Sequence, residues 1–227
     1  MRVSRDALSL LYYAPPSLGT GGDFFAGLGD ALQQRVGVFF DYQNVHGWAR
    51  RCFLDNAADP ADGHIHPLAA AQLLVRRRKF AGALERACVY RGRPNPSKQE
   101  GAARANDRQA SEWGRSPLIQ LTRRNLAYPR GWPGIPPAEK GIDVAIAVDM
   151  LRMAIADEID VAILFSSDND LLPALDAVRD HTDCHVEVAA WTGSNRLRFD
   201  GTQTPYCHYL GQSDFESVRD HTDYAAR

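Results

Sequence analysis

Four aspartates are the residues of this chain whose type and placement predict chemistry: Asp41, Asp143, Asp168 and Asp170. Each closely follows an apolar run or opens a segment with helical spacing. Carboxylates that are brought together repel one another, and a hard divalent cation with oxygen ligands, Mg²⁺ or Mn²⁺, relieves that repulsion. Such an ion lowers the pKa of a bound water and stabilises charge on a phosphate under in-line attack. The four aspartates therefore predict a metal site suited to phosphate chemistry.

Two apolar runs must position most of these carboxylates. Val36–Phe40 ends at Asp41, and Val161–Phe165 is followed by Ser-Ser-Asp-Asn-Asp at 166–170. Continuous apolar runs are typical of strands that are buried on both faces of a largely parallel sheet. Ligands of open α/β sheets bind at the carboxyl ends of the strands, so neighbouring strands would bring these aspartates to one edge.

Each aspartate also has a purely local interpretation. Asp41 can start a turn, and Asp143 can stabilise the first turn of a helix. Asp168 and Asp170 can cap the helix that follows them. The sequence leaves both interpretations open for each residue taken singly, but their joint placement at two strand ends favours the metal site.

The rest of the chain alternates strand and helix patterns. Further strands are predicted at 87–90, 118–122, 186–190 and near 208–210, and helices at 67–84 and 171–179. Val144, Val148, Leu151 and Ile155 are spaced to line one face of another helix. The long segment 91–137, rich in Arg, Pro and Gly, is predicted to be a loop with one strand inside it. This alternation predicts an α/β fold, a three-layer sandwich with a mainly parallel central sheet.

Composition excludes several classes of protein. The chain has 227 residues, of which 44% are hydrophobic and 24% charged, and this is the makeup of one folded domain, not of a disordered or fibrous protein. No apolar run approaches the ~20 residues needed to cross a bilayer, so no membrane partner is expected. The four cysteines form no CxxC pair. They are predicted to be free thiols in a reducing compartment, which indicates a cytoplasmic protein.

Charge is divided unevenly along the chain. Residues 50–130 hold 16 Lys and Arg against 7 Asp and Glu, whereas residues 131–227 hold 7 against 17. The basic segment predicts a surface that binds RNA. Its candidate phosphate contacts are Arg76, Arg77, Arg78, Lys79, Arg91, Arg93, Arg104, Arg108, Arg123 and Arg124, and its candidate base-stacking aromatics are Trp113, Tyr128 and Trp132. The alternative is that Arg76–Lys79 is the solvated face of a helix and that the aromatics belong to the core.

Three motifs resemble the NYN domain family, a branch of the PIN-like nucleases. Residues 36–44, Val-Gly-Val-Phe-Phe-Asp-Tyr-Gln-Asn, resemble the family's apolar strand followed by Asp-x-x-Asn. Residues 140–151 resemble its Lys-Gly-x-Asp-x-x-Leu-x-x-Asp helix, and residues 160–173 resemble its Ser-Gly-Asp-Ser-Asp-Phe-x-Pro element. Ser167 stands where the family usually has Gly and Leu171 where it usually has Phe, but every carboxylate of the motifs is present.

The resemblance implies a metal-dependent ribonuclease of PIN-like fold. Asp41, Asp143 and Asp168 would be its metal ligands, directly or through water. Asp170 would complete the cluster or orient a water. The implied supporting residues are Asn44, Lys140, Ser166 and Asp149. Water would be the nucleophile, and cleavage would leave 5′-phosphate and 3′-hydroxyl ends.

The predicted function is therefore that of an Mg²⁺- or Mn²⁺-dependent endoribonuclease acting on single-stranded or looped RNA. One alternative is a noncatalytic RNA-binding or protein-interaction module that retains the fold. The complete carboxylate set favours the enzyme, because a binder has no need of so much negative charge beside a phosphate backbone. A second alternative, a phosphohydrolase for small esters, is disfavoured because small substrates do not need a long basic surface.

Domain organisation follows the same boundaries. Residues 1–34 are predicted to be a leader of unknown role, with a short helix within 24–34. The nuclease domain is predicted at 35–212, with its basic segment at about 76–130, and residues 213–227 are predicted to be a C-terminal tail. A homo-oligomer or a protein partner remains open.

Overall fold

A six-stranded, all-parallel sheet is the centre of the described part of the chain, which is residues 33–55, 57–199 and 204–226 of a computed structural model. The strands are β1 Gln34–Asp41, β2 Gly82–Arg93, β3 Ile119–Asn125, β4 Val161–Phe165, β5 His185–Trp191 and β6 Tyr206–Leu210. Their spatial order is β3-β2-β1-β4-β5-β6, and every neighbouring pair is parallel. The predicted α/β fold with a parallel central sheet is confirmed.

Helices cover both faces of this sheet and complete the three layers. They are α1 Tyr42–Phe53, α2 Pro67–Arg77, α3 Glu100–Trp113, α4 Ile142–Ile155, α5 Leu172–His181 and α6 Gln212–Val218. Successive strand side chains point to opposite faces, so Phe40 joins one core with Phe215 of α6, whereas Phe39 joins the other core with Met150 of α4. Both faces of β1 are therefore buried, which accounts for its continuous apolar sequence.

The winding of the sheet reverses between β1 and β4. Strands β2 and β3 lie on one side of β1, and β4 to β6 lie on the other. Phe40 is the register partner of Phe165, so the residues that follow, Asp41 and Ser166, end the two strands at the same level. Crossover connections diverge at such a point and leave a crevice at the carboxyl ends of the strands.

The helix predicted at 67–84 ends earlier than expected. Arg78 already has extended backbone angles (φ −63°, ψ 147°), and β2 begins at Gly82. The side chain of Arg78 is buried in an ion pair with Glu187. That contact comes from a strand far along the chain, so the helical spacing of the sequence could not reveal it.

The segment 91–137 is not a loop with one strand, as predicted, because it contains α3 as well as β3. Two of the buried residues of α3 are polar, Asn106 and Gln109, and they lie between Ala103 and Trp113. The four buried positions recur at helical spacing, but only two of them are apolar, so the apolar stripe of this helix is narrow.

The apolar face predicted for α4 is its exposed face. Val144 is 63% exposed and Ile155 is 66% exposed, whereas Ile146 and Met150 are fully buried. Apolar residues occur all around this helix, so their spacing alone could not indicate which side meets the sheet.

The ends of the chain differ in what the structure describes. Residues 1–32, which hold most of the predicted leader and of its helix, lie outside the described residues. Residues 213–227, predicted to be a tail, include most of α6, whose Phe215 and Val218 are buried against the sheet. Within the described ranges, no helix is long and apolar enough to cross a membrane.

Candidate metal centre

Three carboxylates meet at the crevice between β1 and β4. One oxygen each of Asp41, Asp143 and Asp168 lies within 4.8 Å of the other two. Asp41 is 5% exposed, Asp168 is half-buried and Asp143 is exposed. The cluster therefore has a buried base and opens to solvent, which is the arrangement a hydrated cation needs.

Each carboxylate is held there by an ordinary structural device. Asp41 caps α1, and Asp168 caps a short 3₁₀ helix, Asn169–Leu171. Gly141 has a positive φ of 71°, a conformation that favours glycine, and it turns the chain so that Asp143 falls in the first turn of α4. The local roles considered for these aspartates and their clustering are therefore compatible.

Ser166 and Asn44 join the two strand ends. The Ser166 hydroxyl donates to Asp41 Oδ2 at 2.9 Å, and its oxygen accepts the backbone N–H of Asp168 at 3.1 Å. The backbone N–H of Asn44 donates to Asp41 Oδ1, and the Asn44 side chain accepts the N–H of Ser167 at 3.0 Å. These bonds fix the orientation of one carboxylate and the backbone of another.

The carboxylates disfavour one another's charge. Burial raises the pKa of Asp41 to about 6, and the charges of Asp143 and Asp168 add to this, although the bonds from Ser166 and Asn44 oppose it. Partial burial and the neighbouring charges also raise the pKa of Asp143. Negative charge in this cluster is therefore left uncompensated by the hydrogen bonds that hold it.

Sequence reasoning missed one further acidic residue, Glu139. Burial raises its pKa to about 7, and the charges of Asp41 and Asp143 contribute to the shift. Glu139 accepts the backbone N–H of Gly92, and the amide of Gln43, oriented to donate, lies 3.0 Å from it. Glu139 lies outside any helix or strand pattern, and only its position just before the Lys-Gly turn could have indicated it.

The other predicted acidic and polar residues lie further from the cluster. Asp170 is exposed and is not one of the three clustered residues, although its charge helps to raise the pKa of Asp143. Lys140 is exposed just before the turn into α4. Asp149 accepts a hydrogen bond from the Tyr90 hydroxyl at 2.9 Å, so it ties α4 to β2.

The predicted basic run Arg76–Lys79 lies at the opposite edge of the sheet. It follows α2 and leads into the start of β2. The eight residues of β1 separate that edge from Asp41 by about 23 Å. Arg78 is buried against Glu187, which withdraws it from any phosphate and corrects its assignment to the RNA surface, and Arg77 pairs with α6.

Several of the other predicted RNA contacts are engaged within the protein. Arg93 and Arg123 both form ion pairs with Asp107 of α3. The Arg91 guanidinium lies over the rings of Tyr42 and Trp113, with its central carbon 5.1 and 5.7 Å from their centres. Their first role is therefore to hold α3 and the sheet together.

The three candidate stacking aromatics divide into two groups. Trp113 is 1% exposed and its indole donates to Asp220, so it belongs to the core and not to a base-stacking surface. Tyr128 and Trp132 are half-buried and pack edge to face at 5.1 Å. Of the remaining predicted cations, Arg104 pairs with Glu100 and Arg108 donates to two backbone carbonyls near residue 225.

Exposed cations flank the metal centre on two sides. The Arg124 guanidinium lies beside Gly141, 3.5 Å from the point that a Cβ there would occupy. On the other side, the backbone of Arg198 bonds to Asn169, which follows Asp168, and the Arg198 side chain is exposed. Arg198 was missed because it lies in the acidic half of the sequence.

The donor set fits a hard divalent cation. All three clustered ligands are carboxylate oxygens, the type that Mg²⁺ and Mn²⁺ prefer, and no thiol or imidazole joins them among the described residues. A bound cation would also offset the charge repulsion that raises the pKa values of Asp41 and Asp143.

The described residues form an α/β domain with an all-parallel sheet and a carboxylate cluster at its winding reversal. The family model of the NYN domain matches residues 35–204, and the chain belongs to the NYN domain family. Membership suggests a hydrolase of the nuclease type. The family predicted from the three sequence motifs is thereby confirmed.

Other comparisons add less. None of the curated proteins matches the chain significantly. Among solved structures, it is similar to a Vibrio parahaemolyticus protein described as of unknown function, with 18% identity and a TM-score of 0.44. That alignment covers 70% of this chain and 82% of the Vibrio chain.

Proposed function

We propose that this chain is a metal-dependent endoribonuclease that hydrolyses single-stranded or looped RNA. The observation that carries the proposal is the cluster of Asp41, Asp143 and Asp168 at the winding reversal of an NYN domain. Burial and neighbouring negative charges raise the pKa values of Asp41 and Asp143, so their ionisation destabilises the metal-free protein. A cation-assisted reaction accounts for keeping them there.

The three clustered aspartates would hold the ion. Mg²⁺ or Mn²⁺ in such a site supplies an activated water and stabilises negative charge on the phosphate. Ser166 and Asn44 keep the Asp41 carboxylate in one orientation and tie the end of β4 to the start of α1. Asp170, at the exposed lip of the crevice, would contribute to the local field or orient a water.

Cations on both sides of the crevice would neutralise the phosphates of a bound RNA strand. Arg124 and Lys140 lie on the α4 side, and Arg198, whose backbone bonds to Asn169, lies on the side of the 3₁₀ helix. This surface replaces the run Arg76–Lys79, which is at the far edge of the sheet. An extended RNA strand can reach the cations on both sides of the crevice, whereas a small phosphate ester cannot, so this arrangement favours RNA.

Cleavage of a mixed pool of structured and unstructured RNA tests the proposal. The purified full chain is assayed with Mn²⁺, with Mg²⁺ and with EDTA, beside Asp168→Asn and the control Asp180→Asn, which removes an exposed carboxylate at the far end of α5. Asp168→Asn is expected to lower the rate more than 100-fold, because even outer partners of metal ligands contribute about 10–100-fold. Asp170→Asn is expected to have a smaller effect.

The outcome of this assay distinguishes the nuclease from its alternatives. Metal-dependent cutting with 5′-phosphate ends, unchanged in Asp180→Asn, would support the proposal. Full activity of Asp168→Asn would remove the metal-centre assignment. RNA binding without cutting in any metal would instead indicate a noncatalytic RNA-binding module.

A further inference from the structure

The three clustered carboxylates are not held equally firmly. Asp41 is oriented by the hydroxyl of Ser166 at 2.9 Å, and Asp168 accepts the backbone N–H of Asp170 at 3.0 Å. The Asp143 carboxylate, in contrast, accepts no hydrogen bond from any residue that the structure describes, and only burial and neighbouring charges act on it. The position of Asp143 therefore depends on the backbone that leads into α4.

Glu139 anchors the segment that leads into α4. It precedes Asp143 by four positions, and the Lys-Gly turn lies between them. One carboxylate oxygen of Glu139 accepts the backbone N–H of Gly92, at the carboxyl end of β2. The amide nitrogen of Gln43, oriented to donate, lies 3.0 and 3.2 Å from its two oxygens. Glu139 therefore ties the approach to α4 both to β2 and to the first turn of α1, which Asp41 caps.

The end of β2 leaves room for this carboxylate. A Cβ on residue 92 would lie 2.9 Å from a Glu139 oxygen and 2.2 Å from a methyl carbon of Leu126, so any side chain there would displace its neighbours. Ala138, the residue before Glu139, pairs with Ala127 through two backbone hydrogen bonds of 2.9 and 3.0 Å. Two successive residues ahead of the Lys-Gly turn are therefore fixed by contacts with other parts of the chain.

Glu139 lies outside the ligand cluster but close to it. It is not one of the three residues whose carboxylate oxygens lie within 4.8 Å of one another. Burial raises its pKa to about 7, and the charges of Asp41 and Asp143 are close enough to contribute. An ionised carboxylate supplies two acceptor oxygens and no donor of its own, which suits an anchor that receives two N–H groups.

Resting on the proposed function, we propose that Glu139 is a positioning residue of the metal centre, which fixes the Asp143 carboxylate relative to that of Asp41. The hydrogen bonds of Glu139 carry this effect, and its negative charge does not, because Asp143 has no hydrogen bond of its own to hold it in place. Loss of a residue that orients metal ligands typically lowers metal affinity or activity by about 10–100-fold.

Binding of Mn²⁺ to the metal-free full chain, without RNA, tests this inference apart from catalysis. Electron paramagnetic resonance of free Mn²⁺ gives the dissociation constant for wild type, Glu139→Ala, Glu139→Gln and the control Glu85→Ala, which removes a half-buried glutamate near the amino end of β2. The alanine removes both hydrogen bonds. The glutamine still accepts the Gly92 N–H, and its amide can pair with that of Gln43 after rotation.

The expected order separates position from charge. Glu139→Ala should weaken Mn²⁺ binding about 10-fold or more, Glu139→Gln should bind at least about 5-fold tighter than Glu139→Ala, and Glu85→Ala should bind like the wild type. Equal weakening by glutamine and alanine would overturn the inference, because the charge of Glu139 would then be what matters. Unweakened binding in a folded Glu139→Ala would overturn it as well.

A second variant covers the case in which Glu139→Ala does not fold. Gln43 is exposed, so Gln43→Ala removes one donor without disturbing the core, and it should weaken Mn²⁺ binding about 2–10-fold, the contribution of one hydrogen bond. Unchanged binding in Gln43→Ala would also contradict the inference. A wild-type chain that binds no Mn²⁺ would instead overturn the metal-dependent function itself, so the two failures are distinguishable.

Discussion

The carboxyl and amino edges of the sheet both bury carboxylates, but only towards the amino edge is a buried carboxylate paired with a buried cation. There, Glu187 accepts from Arg78 at 2.9 Å and lies 2.7 Å from His208, and all three side chains are 5% exposed or less. At the carboxyl edge, Asp41 is equally buried, and its nearest charged neighbours are the acidic Asp143 and Asp168.

The two edges differ accordingly in their pKa shifts. Burial alone raises the pKa of Glu187, but the hydrogen bond from His208 and the charge of Arg78 outweigh it, and the net shift is downward. Burial raises the pKa of Asp41 to about 6; the hydrogen bonds from Ser166 and Asn44 oppose this rise, but the charges of Asp143 and Asp168 add to it. Matched buried charge indicates a structural role, whereas unmatched buried charge in a crevice indicates a site for a ligand.

Removing Arg78, the cation paired with Glu187, is expected to give the largest change in the free energy of unfolding. Arg78→Ala leaves Glu187 buried without its cation, and loss of one partner of a buried pair costs about 3–5 kcal/mol. Urea unfolding of the variant measures this loss. Below its unfolding transition the variant should still cut RNA at the wild-type rate, so a loss of turnover without a loss of stability would contradict the structural role of this edge.

Removing the charge of Asp41 is expected to stabilise the metal-free protein. The pKa of Asp41 rises from 3.8 unfolded to about 6 folded, so its ionisation destabilises the metal-free protein increasingly between about pH 4 and 6. Asp41→Asn should therefore raise the free energy of unfolding at pH 7 by on the order of 1–3 kcal/mol while abolishing cleavage.

The free energy of unfolding, measured as a function of pH, distinguishes the contribution of Asp41 from that of Glu187. The gain from Asp41→Asn should shrink as the pH falls below about 6 and vanish below about pH 3, where the wild-type carboxyl is protonated in both states. The contribution of Glu187 has the reverse sign, since its pKa is lowered on folding: it is present above about pH 4.5 and is lost as the pH falls further. A variant that is less stable than wild type at pH 7 without metal would contradict the unmatched-charge interpretation.

The smallest expected effect concerns RNA affinity. Arg198→Ala should weaken binding about 2–5-fold and reduce the slope of log K against log salt by about one, because one phosphate contact is lost. Arg76→Ala, at the amino edge, is the matched control and should change neither quantity. Filter binding across a series of salt concentrations measures the affinity and its salt dependence. Equal slopes for the two variants would show that the RNA strand does not cross the carboxyl edge of the sheet.

The sequence predicted the parts of the molecule that depend on local pattern. The apolar runs at 36–40 and 161–165 became central strands, and the aspartates after them came together because parallel strands end at one edge. Charge counts averaged over long segments were less informative. They placed RNA binding on Arg76–Lys79 and overlooked Arg198, because exposure and position in the sheet are set by tertiary contacts.

Partners distant in sequence account for the remaining differences. Arg78 and its neighbours look alike in the sequence, but Arg78 alone meets Glu187, which is 109 positions away. Helix α3 escaped prediction because its inner face includes Asn106 and Gln109, whose partners lie on β2 and β3 or, for one donor of Gln109, on no described residue.

A six-residue sequence that occurs twice shows how strongly tertiary contacts determine local conformation. Val-Arg-Asp-His-Thr-Asp occurs at 178–183, where it ends α5, and at 218–223, where it leaves α6 as extended chain. In the first copy Asp180 is exposed beside Arg179. In the second copy Asp220 is buried and accepts from Trp113 and Tyr224.

The order of the strands also determines when the metal centre can exist during synthesis. Ser166 donates to a carboxylate 125 positions earlier, and β1 completes its pairing only when β4 has been made. A growing chain can therefore pair β1 with β2 and β3 long before the third carboxylate emerges, and such long-range parallel pairing is slow to form. Until β4 has been made and paired, the growing chain therefore carries Asp41 and Asp143 without their third partner, and the RNA around the ribosome encounters an incomplete site.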